Sequence, residues 1–329
     1  MRLLVTGGAG YIGSVVSAHL RAAGHQVVVL DNLSKGHRDA VPAGEALEVV
    51  DLLDAAAVRA VSAVGFDAVL HFAARSLVAE SMEQPVEYFR TNVGGTLNLL
   101  DAMRNAGTRR IVFSSTAAVY GAPEQTPITE DAATAPTNPY GASKLAMDQV
   151  IAAEAAAVGL GAISLRYFNV AGASGSLGER HSPETHLIPL VLEAAAGRRD
   201  SVKVFGTDYA TADGTAIRDY IHVDDLARAH LLALDATHHG GHRVFNLGNG
   251  SGYSVRQVID VARAVTATDI AVEETGRRAG DPPVLVASSD RIRSELGWVP
   301  EKPTLHEMIG DAWNVMRMVT TGRADAGNA

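Results

Sequence analysis

The 329-residue chain contains no cysteine, which excludes disulfides, a thiolate nucleophile and any cysteine-ligated metal. The same absence fits a reducing compartment, and a cytoplasmic protein is the expectation. No stretch reaches the ~18 consecutive apolar residues of a membrane span, so no membrane partner is expected. The opening "MRLLVTGG" passes from one arginine and a short apolar run straight into glycines, unlike a secretory leader. Positive charge is also in short supply. A formal net charge of −9 argues against a nucleic-acid partner, while local arginines can still hold a small anion. Repeats and low-complexity linkers are missing too. What is present, 47% hydrophobic and 20% charged residues, is a globular composition long enough for one large or two ordinary domains.

Short β-branched runs recur along the first half: "RLLVTGG", "QVVVLDN", "LEVVDL", "DAVLHFAA", "RRIVFSST" and "AISLRYFN". Each is bounded by Gly, Asp, Asn or Ser, and the pieces between them have helical length. The alternation predicts an α/β fold, a doubly wound parallel sheet of Rossmann type covered on both faces. After Asn169 the rhythm breaks into loops around one helix-like run, "HLIPLVLEAAAGRR". A smaller, interleaved substrate domain is expected over residues 170–214 and 251–329. The dinucleotide domain is expected over 1–169, with 215–250 returning to it through "HRVFNLGNG". The tail "TTGRADAGNA" reads as disordered.

The first turn, "VTGGAGYIGS", places Gly7, Gly10 and Gly13 after a strand and at the start of a helix. Such a turn lets the backbone approach a pyrophosphate and aims helix N–H groups at it. The second strand ends in Asp31, 18 residues after Gly13. A carboxylate there accepts both ribose hydroxyls and repels a 2′-phosphate, so NAD is the expected cofactor; Lys35 and Arg38 nearby are the features that would favour NADP. Farther on, "TNPYGASKLAMDQV" sets Tyr140 and Lys144 one helical turn apart, on one face of a helix. Alone, this spacing is common by chance. Bordering a pocket, the ammonium would lower the phenol pKa and make a phenolate usable near neutral pH. "FSSTAAVYG" supplies Ser114, Ser115 and Thr116 at the end of the fifth strand, where open α/β sheets bind ligands.

With these motifs in order, the chain resembles the extended short-chain dehydrogenase/reductase family, and within it the 4-epimerases of UDP-galactose. The likeness runs through "VTGGAGYIGS", "LDNLS", "HFAARSLVAES", "TNVGGTLNLL", "FSSTAAVYG", "NPYGASK", "LRYFNVAGA", "DGTAIRDYIHVDDLA" and "FNLGNG". It implies a catalytic trio of Thr116, Tyr140 and Lys144. Hydride would leave C4 of a UDP-hexose, the flat 4-keto sugar would turn over, and hydride would return to its other face. The resemblance assigns NAD contacts to Gly7, Gly10, Tyr11, Ile12, Gly13, Asp31, Asn32, Asp51, Leu52, Phe72, Ala73, Ala74, Asn92, Ser114, Tyr140, Lys144 and Tyr167. Asp51 would meet the adenine and Asn92 the diphosphate side. For the UDP-sugar it assigns Ser76, Thr116, Asn169, His186, Leu187, Arg218, Arg278 and Asp281, with His186 where some relatives carry Asn. Leu285 falls where a pocket wall sets tolerance for a 2-acetamido group. A leucine there implies main use of plain hexoses with poorer use of UDP-N-acetylglucosamine.

Relatives that eliminate water across C5–C6 carry an Asp-Glu pair after the threonine, and this chain has Ala117 and Ala118. Epimerase-reductases acting at C3 and C5 need a cysteine. Another nucleotide-sugar epimerase, acting on an N-acetylhexosamine or a uronic acid, stays open, as does a non-catalytic NAD sensor, which would not need the Tyr-Lys pair. No metal is expected: His238, His239 and His242 form a run without an acidic or cysteine partner and read as a solvated loop. The family commonly pairs through two long helices. "PVEYFRTNVGGTLNLLDAMRNAG" and "NPYGASKLAMDQVIAAEAAAVG" are the candidates for a homodimer face.

Overall fold

Strands whose two faces are both covered need apolar residues at successive positions, and the Val- and Leu-rich runs meet that need. In the computed structural model, which describes residues 1–237, 240–278 and 281–326, they form one seven-stranded sheet. Its first six strands are β1 (Arg2–Thr6), β2 (Gln26–Leu30), β3 (Ala46–Glu48), β4 (Ala68–His71), β5 (Arg110–Thr116) and β6 (Gly161–Tyr167). The spatial order is β3, β2, β1, β4, β5, β6 and then the strand Gly241–Leu247, all parallel. Strand order reverses between β1 and β4, which opens the crevice where such sheets take a dinucleotide. β3 covers only part of "LEVVDL", because it is the edge strand and has β2 alone to pair with.

Eleven helices are described: α1 (Tyr11–Ala22), α2 (Ala55–Ser62), α3 (Val78–Glu83), α4 (Pro85–Tyr88), α5 (Gly95–Ala106), α6 (Pro139–Val158), α7 (Leu187–Ala195), α8 (Val223–Ala236), α9 (Val255–Thr266), α10 (Asp290–Leu296) and α11 (Leu305–Ala326). Alternate side chains of each strand feed opposite cores. Leu3, Val5 and Leu70 pack with Val16 and Leu20 of α1 and with Leu226 and Ala233 of α8. Leu4, Val69 and Ile111 pack with Leu99 and Met103 of α5 and with Met147 and Ile151 of α6. Each such side chain, fully buried, contributes about 1.5–3 kcal/mol. A third core joins Val191 and Leu192 of α7 to Ile259 of α9 and to Met308 and Ile309 of α11.

Two expectations need correction. The run "PVEYFRTNVGGTLNLLDAMRNAG" is not one regular helix: a π-helical segment, Phe89–Gly94, separates α4 from α5. Its wider turn lets buried Asn92 project toward α6, and such bulges recur at functional sites. The tail is not disordered over its length either. Once Met308 and Ile309 fix α11 against the third core, its propagation costs little per residue, and it runs to Ala326; Gly327, Asn328 and Ala329 lie outside the described residues. Of the histidine run, His238 and His239 lie outside the described residues, and His242 accepts or donates a hydrogen bond at Ser164 Oγ (2.9 Å).

Candidate active site

The glycine turn is fixed by close approach. A Cβ on Gly13 would lie 2.2 Å from the Gly7 carbonyl oxygen, and one on Gly7 would lie 2.6 Å from the Ala73 nitrogen, at a φ of +72° that favours glycine. The protein's own backbone fills that space, so the turn closes this tightly only with glycine at both positions. Gly10 caps α1 without a side-chain acceptor, which leaves first-turn N–H groups at Tyr11, Ile12 and Gly13 to aim at an anion. The Tyr11 hydroxyl donates to Gly172 O (2.7 Å) and ties the turn to the second region, while Ile12 packs against the first core.

At the end of β2, Asp31 is buried and accepts from the N–H groups of Ala9 (3.0 Å) and Leu33 (2.8 Å). Burial raises its pKa and the two backbone donors oppose that. Lys35 does not face this carboxylate: its Nζ donates to Ser182 O (2.7 Å). Asn32 Nδ2 donates to Asp51 Oδ2 (2.8 Å), so these two residues stand together beyond β2, and buried Leu52 packs against the start of α5. Phe72, Ala73 and Ala74 follow β4, the first two with N–H groups held by Thr6 O (2.9 and 3.1 Å), and Ser76 farther along is exposed. Asn92 is committed to the protein rather than aimed at a diphosphate. It accepts from Arg75 N–H (2.8 Å) and donates to Arg75 O (3.1 Å) and Ser143 Oγ (2.9 Å), so it positions the loop after β4 against α6.

The hydroxyls at the end of β5 meet the first turn of α6. That helix begins at Pro139 and is capped by Asn138, whose Oδ1 accepts from Gly141 N–H (2.9 Å). Tyr140 lies beside Thr116, whose Oγ1 accepts from Ala118 N–H (3.2 Å). Lys144 is buried, donates from Nζ to Ser114 O (2.7 Å) and lies 4.9 Å from the Phe113 ring centre. The Ser114 hydroxyl in turn is hydrogen-bonded to Tyr167. Burial lowers the Lys144 pKa to about 7, against the pull of Asp148. The Tyr140 phenol is raised above its ordinary value by burial, with the Thr116 hydroxyl pulling it down. Lys144 is not among the groups that set this phenol here, where burial dominates and the ammonium donates to the Ser114 carbonyl.

Three supporting residues escaped the sequence reading. Tyr88 presents its ring edge-on to Tyr140, 6.5 Å between centres at 81°, and its hydroxyl is anchored at Leu77 N–H (2.9 Å). Asp148, one turn beyond Lys144, accepts from Arg166 Nε (3.1 Å) and Nη2 (3.0 Å) and from Ser115 Oγ (3.1 Å). Arg166 also reaches Tyr120, which donates to Asn246 Oδ1 (2.7 Å). The i+4 spacing of Lys144 and Asp148 was the available signal. His71 sits fully buried between Thr6 Oγ1 (2.6 Å) and Thr96 Oγ1 (3.0 Å), and burial lowers its pKa to about 3.

Across the crevice, Arg218 pairs with Asp281, and the Asp281 N–H is held by Arg278 O (3.3 Å). Arg278 stacks its guanidinium 3.9 Å from the Phe205 ring centre. Asn169 Nδ2 donates to Asp219 O (2.9 Å). Leu285 is the parallel ladder partner of Arg218 and packs, half-buried, on the cluster of Val119, Tyr120 and Phe168. His186 precedes Leu187 at the start of α7, and Glu179 and Glu184 raise its pKa to about 10 against burial.

The family model for the NAD dependent epimerase/dehydratase family matches residues 3–248. The UDP-glucose 4-epimerase of Corynebacterium glutamicum is 56% identical over 313 residues, 95% of each chain. The crystal structure of UDP-glucose 4-epimerase from Brucella ovis in complex with NAD is 46% identical and superposes with a TM-score of 0.92, covering 95% of this chain and 97% of that one. The UDP-Glc/GlcNAc 4-epimerase from Campylobacter jejuni is 41% identical with a TM-score of 0.86, covering 96% and 99%. By sequence and by fold alike, the chain belongs to the NAD dependent epimerase/dehydratase family.

Proposed function

We propose that the chain interconverts UDP-galactose and UDP-glucose by NAD-dependent epimerisation at C4 of the sugar. The observation that carries this reading is the placing of Tyr140, in the first turn of α6, beside Thr116 at the carboxyl end of β5, with Lys144 buried one turn along the same helix. The tight glycine turn, the uncapped first-turn N–H groups of α1 and the Asp31 carboxylate fit a dinucleotide. Bound NAD supplies a hydride acceptor, the matching donor for the return step, and a positive charge beside the phenol. Tyr140 takes the O4 proton as base and gives it back as acid. Thr116 keeps O4 and the phenol oxygen in line, a positioning role. Lys144 holds a ribose hydroxyl and adds its charge to the site. Asn169, Arg218, Arg278 and Asp281 grip the UDP half, since guanidinium groups suit phosphate and a carboxylate suits ribose hydroxyls. His186 and Leu187 close the site at the head of α7, and Leu285 forms a wall that admits a 2-acetamido group poorly.

The Tyr140→Phe variant tests the assignment. It should keep NAD while losing at least ~100-fold in turnover of UDP-galactose, the usual contribution of a general acid–base group. Thr116→Ala should lose less. Retention of more than about a tenth of the activity by Tyr140→Phe would remove the phenol from the mechanism, by the same scale.

The enzyme works as a homodimer in the cytoplasm on this reading. Val78, Met82, Val86, Phe89 and Leu97 are exposed along α3 to α5, an apolar face that a second copy would cover. Sedimentation that finds only monomer at micromolar concentration would exclude the pairing. Among the described residues no helix is long and apolar enough to cross a membrane.

A further inference from the structure

The loop before α7 gathers four ligating side chains that the reaction above does not require as a set: Glu179, His181, Glu184 and His186. Their ligand atoms all lie within 4.8 Å of one another. Glu179 Oε1 is 2.8 Å from His181 Nδ1 and 2.7 Å from His186 Nδ1, and Glu184 Oε1 is 2.9 Å from the same His186 nitrogen. Both carboxylates are largely buried, with side chains 10% and 7% exposed. Two buried carboxylates beside two imidazoles make a nitrogen–oxygen donor set of the kind zinc accepts. Tetrahedral zinc with bonds of about 2.0–2.1 Å keeps its ligand atoms roughly 3.3 Å apart. Three of the present separations, 2.7–2.9 Å, are shorter than that and the others reach no more than 4.8 Å, so side-chain rotations would complete the sphere.

We propose that Glu179, His181, Glu184 and His186 form a structural zinc site that clips the 179–186 loop between the cofactor side and the substrate side of the crevice. The loop already reaches both. Arg180 makes a two-pronged ion pair with Asp39 (2.9 and 3.0 Å), His37 Nε2 contacts Arg180 O (3.2 Å), and Lys35 Nζ holds Ser182 O. Those three partners follow β2 and the ribose-binding Asp31, whereas His186 opens α7. One ion on four ligands, at i, i+2, i+5 and i+7, would fix the loop across that span. In the sequence only the run from His238 to His242 stands out as a candidate metal set, and no metal is expected from it. The set at 179–186 is interrupted by Arg180, Ser182, Pro183 and Thr185, so its convergence is visible only in the fold.

The test uses the untagged full chain, freed of metal by a chelator and dialysed against Zn²⁺ alone, with Mg²⁺ as a control. Elemental analysis should find one zinc per chain and no retained magnesium. His181→Gln and Glu179→Gln should each lower zinc content several-fold, while a His238→Gln/His239→Gln/His242→Gln triple variant keeps it. Zinc lost in the triple variant but kept in His181→Gln, or no stoichiometric uptake by the wild type, overturns the proposal. Should the loop variants fail to fold, X-ray absorption at the zinc edge of the wild type decides. Two imidazoles in an all-nitrogen and oxygen shell support the site, and fewer than two overturn it. These readouts need no substrate, so they stand or fall apart from the epimerase reading.

Discussion

Replacing Asp148 by alanine should destabilise the protein by about 3–5 kcal/mol, the usual cost of breaking a buried ion pair from one side. The structure sets this magnitude. The Asp148 and Arg166 side chains are 3% and 8% exposed, so neither solvent nor salt can take over the lost partner. Asp148 Oδ2 accepts three hydrogen bonds at 3.0–3.1 Å, two from Arg166 and one from Ser115, and all three go together. With an unfolding entropy of about 2.1 cal/mol/K per residue, a chain of 329 residues would lose roughly 4–7 °C in melting temperature. Urea unfolding of the single variant and of the Asp148→Leu/Arg166→Met pair separates the causes. The apolar pair should recover most of the loss, because the penalty lies in the abandoned guanidinium rather than in the missing attraction. Catalysis should also suffer in the single variant: Asp148 is the group that opposes the burial-driven fall of the Lys144 pKa to about 7, and without it the lysine loses its proton at lower pH. A cost below about 1 kcal/mol, the scale of an exposed pair, would refute the reasoning, and so would a double variant no better than the single one.

His71 is fully buried with its pKa lowered to about 3, so below its ordinary value near 6.5 the unfolded chain binds a proton that the folded chain refuses. Stability is then lost as pH falls through the window from about 6.5 toward 3, by up to ~1.4 kcal/mol per pH unit, and His71→Asn should flatten that slope in denaturation series. An unchanged slope would mean other groups carry the acid sensitivity. For Leu285→Tyr, assays on UDP-galactose and UDP-N-acetylglucosamine should show selective loss of the N-acetylated activity, on a scale of ~1–3 kcal/mol per methylene-sized change. Equal loss on both would assign Leu285 to the packing of Val119, Tyr120 and Phe168 alone.

The sheet was legible because its inner strands are apolar at consecutive positions, a pattern that double-sided burial demands of β1, β4 and β5. The glycine turn was legible because Gly7 and Gly13 are forced by backbone contact, and Tyr140 with Lys144 because a helix converts a spacing of four into proximity. Partners brought together from distant segments were not. Asp148 on α6 and Arg166 on β6 meet only when helix and strand are stacked, and Arg218 meets Asp281 only through a three-stranded ladder with Leu285. The burial that raises the Tyr140 phenol was not legible for the same reason. Sequence spacing gave the nearness of a charge, but burial and the Ser114 carbonyl that claims the ammonium are properties of the packed site.

The central claim is that one bound NAD removes and returns the same hydride while Tyr140 handles only the O4 proton. Turnover of UDP-galactose carrying deuterium at C4, followed by mass and proton spectra of the UDP-glucose formed, tests it most directly. The account predicts full retention of the label at C4 with none appearing in water, whereas exchange of the label with solvent would contradict it and point to deprotonation at carbon.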